Sequence, residues 1–440
     1  MKNNIYACLE IGNAEARIMV CNIRDERLYV LSQQTIEADG IESGKVINVN
    51  QIVQNLKTLK ANVENDLNQT IKHVLLSIPA VDVNIENVTT SLELDTEQPI
   101  DSVNIKELFR RVISQPVSEN QVVVSILPRE FKVDSQNAIQ NPHGKNGQKL
   151  TMGAQKILAP ATMVYNFINI AELAGFRISD ISLGSMVEAL YIPNSQQTRR
   201  GMCHVNIGKA TTTITVLHSG NVDSTKAWSF GGQDITNDIK ESFKIDEKTA
   251  EMLKLNFGRV KSNEYPHEII YVNEVEGELI CITRQMLEEI ITMRYEKFFK
   301  VIKKYLNENA YKSGEIQYVL TGGASEIEGG LELAKEILGE DARVYRPSML
   351  GVRHAKFARV IGMAIYAHEM ALLTEKKSNI IDLNLYEDDS EKLIESHNES
   401  SIDKQSEPVI ADEKSFMDHK FENSGVLERL FDKIFDEKAK

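Results

Sequence analysis

The chain has 440 residues, 42% hydrophobic and 26% charged, enough apolar material for two or more packed domains. Its formal charge of −14 argues against a protein that grips nucleic acid through phosphate contacts. Much of that charge lies between Ile380 and Ser424, where 13 acidic residues stand against 4 basic ones.

Cys8, Cys21, Cys203 and Cys281 include no C-x-x-C pair. The first three fall in apolar, strand-like stretches and are expected as buried thiols in a reducing compartment. Nine scattered histidines show no metal-ligand spacing, which argues against a zinc site. No apolar run reaches the ~20 residues that span a bilayer, and the N-terminus does not read as a secretory signal. A cytoplasmic protein is the expectation.

In chain order, "LEIGNAEARIMV" (9–20) reads as strand, glycine turn, strand, with a further strand in "LYVLSQQTIEA". "GIESGKVINVNQIV" (40–53) imitates a P-loop. Only three residues separate Gly40 from Gly44, however, and Val46 stands where that motif requires Ser or Thr. The segment is expected to be a turn into a strand, "KVINV". "LLSIPA" (75–80) is the next strand. Residues from about 80 to 159 read as a small α+β unit: "VDVNIENVTTSLEL", a helix "NIKELFRRVI", a strand "QVVVSILPREFKVD" and a polar loop with "NPHGKNGQKL". "SMVEALYIP" (185–193) reads as a connecting helix.

"VNIGKATTTITV" (205–216) then repeats the frame of residues 9–20, about 196 positions later. In each, an acid or amide precedes Ile-Gly, and an Ala and an Ile-x-Val strand follow. Alternating apolar residues about a glycine turn indicate a β-hairpin, and the repeat indicates two similar lobes. Such bends have a chemical use. Glycine permits close backbone approach to a ligand, turn N–H groups and threonine hydroxyls donate to phosphate oxygens, and the acid before the glycine suits a hydrated Mg²⁺. Two facing bends would hold a polyphosphate from both sides; two ordinary hairpins are the plainer alternative.

Beyond the second hairpin, Gly231-Gly232 ends a strand. Asp234 is expected to N-cap a helix that starts at Ile235 and buries Ile235, Ile239 and Phe243. A second helix carries Ala250, Leu253 and Phe257 on one side and Glu251 and Lys254 on the other. The helix in 283–306 shows an apolar stripe of Met286, Ile290, Met293 and Phe298, read as core. "IQYVLTGGASEIEGGLELAKEIL" (316–338) is a buried strand, a Gly322-Gly323 turn suited to close approach by a flat ligand, and a helix, with Ser325 capping nearby. The basic stretch 342–362 is expected to be surface loop and helix end.

Residues 380–424 are polar, acidic and poor in aromatics, too apolar-poor to offset ordering entropy, and are expected to be a disordered linker. After Gly425 the pattern changes. Val426, Leu427, Leu430, Phe431, Ile434 and Phe435 share one face of a helix, with charges opposite. This helix is suited to fold back, to bind a partner helix or to lie in a membrane interface, and a long tether favours the last.

These pieces, in this order, resemble the actin/Hsp70/sugar-kinase superfamily, and within it the FtsA family of bacterial division proteins. The FtsA-like details are the 40–53 loop, "LLSIPA", "NPHGKNGQKL", "GGQDITNDI…AEMLK" and "TGGAS", over residues 1 to about 370. The resemblance implies an α/β, actin-like (ribonuclease H-like) duplicated two-lobe fold with an inserted small α+β subdomain, a disordered linker and a terminal amphipathic helix. It implies lobe 1 in 1–79 and 160–200, an FtsA-type insertion in 80–159, and lobe 2 in 201–230 and 314–379. It also implies a partner-binding subdomain in 231–313, a linker in 380–424 and a membrane-targeting helix in 425–440. The implied nucleotide contacts are Gly12, Asn13 and Ala14; Gly208, Lys209, Ala210, Thr211 and Thr212; Gly231 and Gly232; Glu251 and Lys254; Gly322, Gly323 and Ser325. The implied cofactors are ATP and Mg²⁺. The implied partners are the C-terminal peptide of the tubulin-like FtsZ near Arg294 and Lys297, further copies of the chain in a filament, and lipid through the terminal helix.

The chain departs from that pattern. Glu10 and Asn206 stand where the family usually has Asp, and Lys209 where a second Gly is common. Both metal-side changes are expected to weaken a cation held through water, while Lys209 meets phosphate directly. The expected function is that of a division protein, not an enzyme. It binds ATP with weak or absent hydrolysis, polymerises at the cytoplasmic membrane face of the division site and anchors FtsZ filaments. A small-molecule kinase of the same superfamily and a pilus-assembly-type adaptor are the alternatives.

Overall fold

The computed structural model describes residues 4–375 apart from 43, 95–97, 193–200, 263–264, 276–277 and 312–315. The linker 380–424 and the segment 425–440, with Val426, Leu427, Leu430, Phe431, Ile434 and Phe435, lie outside the described residues.

An antiparallel meander opens the chain: β1 (Asn4–Ile11), β2 (Glu15–Arg24) and β3 (Arg27–Glu37). A two-residue ladder, β4 (Ile41–Glu42) with β5 (Lys45–Val46), leads to α1 (Val49–Leu67). β6 (His73–Ile78) then pairs parallel to β1. The expected strand "KVINV" is therefore only its first two residues. Asn48 accepts from Gln51 N and caps a helix instead, because Ile52, Leu56, Leu59 and Val63 fall on one buried helical stripe.

β7 (Asn84–Glu93), α2 (Ser102–Ile113), β8 (Gln121–Val133) and β9 (Lys149–Pro160) form a three-stranded antiparallel sheet under one helix, in order β7-β9-β8. Asp101 caps α2 by accepting from Val103 N and Asn104 N. Ile105, Leu108, Phe109 and Val112 then pack on the sheet. The central strand β9 is absent from the sequence reading. Its alternation is broken by Gln155 and Lys156, both buried; Lys156 is paired with Glu86 at 2.8 Å.

The chain returns through α3 (Ala161–Leu173), β10 (Arg177–Leu183) and α4 (Gly184–Tyr191). A second meander follows: β11 (Met202–Ile207), β12 (Thr212–His218) and β13 (Asn221–Trp228). Next come α5 (Gly232–Phe243), α6 (Glu247–Phe257), the hairpin of β14 (Ile269–Val275) and β15 (Glu278–Thr283), and α7 (Arg284–Glu308). β16 (Gln317–Thr321), α8 (Gly330–Ile337), β17 (Ala342–Val344) and α9 (Ala358–Thr374) complete the described chain.

The two large sheets have the same plan. One runs β3-β2-β1-β6-β10 and the other β13-β12-β11-β16-β17, each an antiparallel meander continued by two parallel strands. The repeat legible at residues 9–20 and 205–216 is thus a repeat of whole sheets. Each has its own buried cluster, and a third lies in the insertion.

Two further local expectations are corrected. α5 begins at Gly232, not at Ile235. Asp234 is its third residue, and its carboxylate accepts from Gly231 N at 2.8 Å. On α7 the buried seam is Leu287, Ile291, Tyr295, Phe298, Phe299, Ile302 and Leu306, whereas Met286 and Met293 are exposed. Both stripes satisfy helical spacing. The aromatic-rich one wins because it buries more apolar area.

Candidate functional site

The two glycine bends face each other. Gly12 N donates to Glu15 O at 3.0 Å and Gly208 N to Thr211 O at 2.9 Å, so the duplicated residues close the same turn twice. Between them, Asn13 Nδ2 donates to Thr211 Oγ1 at 3.3 Å. Asn13 Oδ1 also accepts from Gly44 N at 2.5 Å, which recruits the P-loop imitation as a support for the first bend.

The start of α5 is fastened to the second bend by backbone alone: Gly232 N donates to Gly208 O at 2.9 Å and Gln233 N to Lys209 O at 2.6 Å. A Cβ on Gly231 would lie 2.4 Å from Gly208 O, so only glycine allows this approach. Lys254 of α6 reaches the same place. Its ammonium donates to Gly232 O at 3.0 Å, Thr236 Oγ1 at 2.7 Å and Glu251 Oε2 at 2.6 Å, and its burial lowers its pKa below the ordinary lysine value. Gly322 and Gly323 lie beside this group, with Gly322 packed on the backbone of Ile207. Ser325 is buried and donates to Gly322 O at 2.8 Å. It braces the turn and does not cap a helix, as α8 begins behind Gly329 without a side-chain cap. Thr212, read as a phosphate donor, is fully buried with its hydroxyl donating to Phe230 O at 2.8 Å. Strand alternation turns it to the core, while Thr211 in the bend stays partly exposed. Ala14 and Ala210 occupy the bends themselves, and Lys209 is exposed at the tip of the second.

Behind the bends lies a buried charge network that the sequence reading did not contain. Glu10 Oε1 accepts from Arg359 Nη1 at 2.9 Å and Oε2 from Arg17 Nη1 at 3.1 Å. Arg359 Nε also donates to Glu188 Oε2 at 3.2 Å. Asn206 Nδ2 donates to both Glu188 oxygens, at 3.0 and 3.1 Å, and to Thr321 Oγ1 at 3.1 Å. His204 Nε2 lies 3.5 Å from Glu188 Oε1 and 3.0 Å from Thr321 Oγ1. Burial alone would raise the Glu188 carboxyl; His204, Arg359 and Thr321 outweigh it and pull it down to about 2. Burial likewise opposes ionisation of Glu15, but Arg17, Lys356 and Lys209 hold it below the usual carboxylate range.

Residues 342–362 were expected to be plain surface, but Val352, Ala355, Phe357, Ala358, Val360 and Ile361 are buried core, and Arg359 among them is drawn into the charge network. It enters from the first turn of α9, and its stem passes the place where a Cβ on Gly184 would lie, at 2.4 Å. Arg17, Glu188, His204, Thr321 and Arg359 were all missed, and for two of them the available signal was a lone charge in an apolar helical run: Glu188 in "SMVEALYI" and Arg359 in "FARVIGMAI".

The expected Mg²⁺ does not fit these residues. Both Glu10 oxygens are met by guanidinium N–H groups, and Asn206 presents its amide to Glu188. A hard cation needs free oxygen ligands or carboxylates open to its waters. Among the described residues no group of three or more His, Cys, Asp and Glu is placed to hold a metal ion.

Arg294 projects from α7 and pairs through two nitrogens with the carboxylate of Asp238 on α5. Lys297 is exposed beside a shallow groove it lines with Met293, Glu296, Lys300, Val301 and Lys304. Tyr295, which follows Arg294, points inward and donates to Ala324 O in the glycine turn.

The family model for "Cell division protein FtsA" matches residues 203–362, and that for the "SHS2 domain inserted in FTSA" matches residues 81–158. The chain belongs to the FtsA family. It is similar to the cell division protein FtsA of Bacillus subtilis (strain 168), with 23% identity over 378 residues covering 85% of this chain and 86% of that protein. It is 26% identical to that of Enterococcus faecalis (strain ATCC 700802 / V583), covering 84% of each. Among solved structures, the PilM-PilN type IV pilus biogenesis complex matches with a TM-score of 0.56 at 14% identity, covering 82% of this chain and 98% of that one. MreB5 of Spiroplasma citri bound to ADP matches with a TM-score of 0.52 at 11% identity, covering 85% and 99%. These likenesses show the fold: a duplicated α/β, actin-like architecture with an inserted SHS2 subdomain. Membership of the FtsA family gives the chain the role of an actin-like cell-division protein. No described helix is long and apolar enough to cross a membrane.

Proposed function

We propose that this chain binds a nucleoside triphosphate such as ATP between its two glycine bends without significant hydrolysis, and that it works as a filament-forming tether. It joins FtsZ filaments to the cytoplasmic face of the membrane at the division site. The observation that carries the nucleotide reading is the contact of Asn13 with Thr211. Two bends that meet through one partly exposed hydrogen bond can exchange it for phosphate oxygens, with the Thr211 hydroxyl presenting a donor and Lys209 a charge. Gly231, Gly232, Lys254, Gly322 and Gly323 border the same place and suit the nucleoside. A solved neighbour of the same fold, MreB5, is bound to ADP. Weak or absent hydrolysis accords with Glu10 and Glu188, whose oxygens are all engaged by N–H groups and are not free to act as a general base.

The partner surface is read on α7. Lys297, Lys300 and Lys304 line a groove beside exposed Met293, with Glu296 paired to Lys300, and Arg294 stands on the same helix paired with Asp238, a surface suited to a short peptide with apolar and acidic residues. The insertion and further copies of the chain supply the filament contacts. The terminal helix supplies lipid contact. Full burial of each of its six apolar side chains is worth about 1.5–3 kcal/mol, reduced by partial burial and by ordering. One anchor is therefore weak and an array of anchors firm. Co-sedimentation of the full chain with lipid vesicles, with and without ATP, tests the reading. Vesicle binding that rises with ATP and disappears on deletion of residues 425–440 is expected. Nucleotide turnover at an enzyme-like rate, or vesicle binding unchanged by the deletion, would refute it.

A further inference from the structure

We propose that the guanidinium groups of Arg359 and Arg17 stand in for the divalent cation of this cleft, so that it takes a nucleoside polyphosphate without metal. The inference rests on the nucleotide reading above and concerns how that ligand's charge is met.

The donor set carries it. A hydrated cation is held by waters that donate to carboxylate oxygens. Here the oxygens that would receive those waters already accept N–H groups: Glu10 from Arg17 and Arg359, Glu188 from Arg359 and Asn206. A guanidinium is planar, always charged and able to address two carboxylates at once. Arg359 does so across the molecule, joining Glu10 on β1 to Glu188 on α4, which in turn holds Asn206 on β11.

The backbone around Arg359 is shaped to admit it. Any side chain on Gly184 would strike its stem, with a Cβ 2.4 Å from Cδ. A Cβ on Gly362 would lie 2.9 Å from Glu188 Cα, so two glycines bring α9 against α4 at the height where the guanidinium meets the carboxylates.

Charge balance agrees. Glu10, Glu15 and Glu188 are set against Arg17, Arg359, Lys356 and Lys209. The protein's own cations outnumber the carboxylates, so a phosphate chain entering between the bends meets fixed positive charge. The second hairpin differs from the first in the same sense: Asn206 lies opposite Thr213 where Glu10 lies opposite Arg17, so the carboxylate on one side is matched by an uncharged pair on the other.

The full chain is titrated with a fluorescent ATP analogue in Mg²⁺ and in EDTA. Dissociation constants within about two-fold of each other are expected, because fixed guanidinium groups survive chelation. Binding that weakens by about ten-fold or more in EDTA would overturn the inference and leave the nucleotide reading standing. No binding in either buffer would overturn both. The variant Arg359→Gln frees carboxylate oxygens. It is expected to lose about ten-fold in affinity in EDTA, to recover it in Mg²⁺, and to melt at a higher temperature in Mg²⁺ alone, which leaves the unsubstituted chain unmoved. A variant that binds equally in both buffers and ignores Mg²⁺ would refute the role of Arg359. If Arg359→Gln does not fold, the unsubstituted chain decides: a rise in its melting temperature with Mg²⁺ alone would overturn the inference.

Discussion

Asn13 in the first bend donates its side-chain amide to the hydroxyl of Thr211 in the second, so that two residues 198 positions apart join the duplicated turns. The bond is partly exposed and neutral, so it is worth only about 0.5–1.5 kcal/mol. A double-mutant cycle of Asn13→Ala and Thr211→Val, read by chemical denaturation, is expected to show coupling in that range. Either single variant is expected to weaken nucleotide binding more than it lowers stability.

Gly231 is the tightest link between α5 and the second bend. Gly231→Ala places a methyl 2.4 Å from Gly208 O and 2.7 Å from Lys209 O, which the backbone must yield to at a cost of about 1–3 kcal/mol. Because the yielding atoms belong to the bend, nucleotide affinity is expected to fall with stability. Gly323→Ala, whose Cβ meets nothing closer than 4.0 Å, is expected to stay within about 0.5 kcal/mol of the parent. Urea denaturation of the two variants makes the comparison.

Glu188 ties stability to pH. Its carboxyl titrates at about 2 in the folded chain against 4.5 ordinarily, so below 4.5 the unfolded chain takes up the proton first. The stabilisation is complete above 4.5 and is lost as pH falls toward 2, by at most about 3 kcal/mol. Glu188→Gln is expected to be less stable at neutral pH, since Arg359 loses a partner, and to show a flatter loss through that window. Denaturation midpoints across the acid range test both parts; a parallel decline in the two proteins would contradict the assignment.

Arg294 is held by Asp238 of α5, and its charge is presented from a fixed position. Arg294→Glu sets like charges against each other and reverses the sign of the surface. It is expected to reduce affinity for an FtsZ C-terminal peptide by about ten-fold or more. Asp238→Asn, which releases the arginine but keeps its charge, is expected to have a smaller effect. Fluorescence anisotropy of the labelled peptide separates the two.

Much of the architecture was legible because it is written locally. A glycine bend between alternating strands needs only its own residues, so "LEIGNAEARIMV" and "VNIGKATTTITV" announced the hairpins and their duplication. The same locality failed wherever two local patterns were equally good. On α7, Met286 and Met293 fit the helical period as well as Ile291 and Tyr295, and only the neighbouring core selects between them. At Asn48 an expected strand gave way to a helix whose buried stripe lies further along the chain.

The site divides in the same way. Residue order by itself determined the pair of bends, the positions of Glu10, Asn206 and Lys209 within them, and the glycine turn at Gly322-Gly323, since each belongs to a short segment with its own hydrogen-bond requirements. Only the tertiary structure decided which charges meet. Arg359 lies 349 positions from Glu10 and 171 from Glu188, and the three converge because α9 packs on α4 behind the first sheet. A buried carboxylate is stable only with its charge matched, and the matching partner is set by helix packing, which neither spacing nor composition contains.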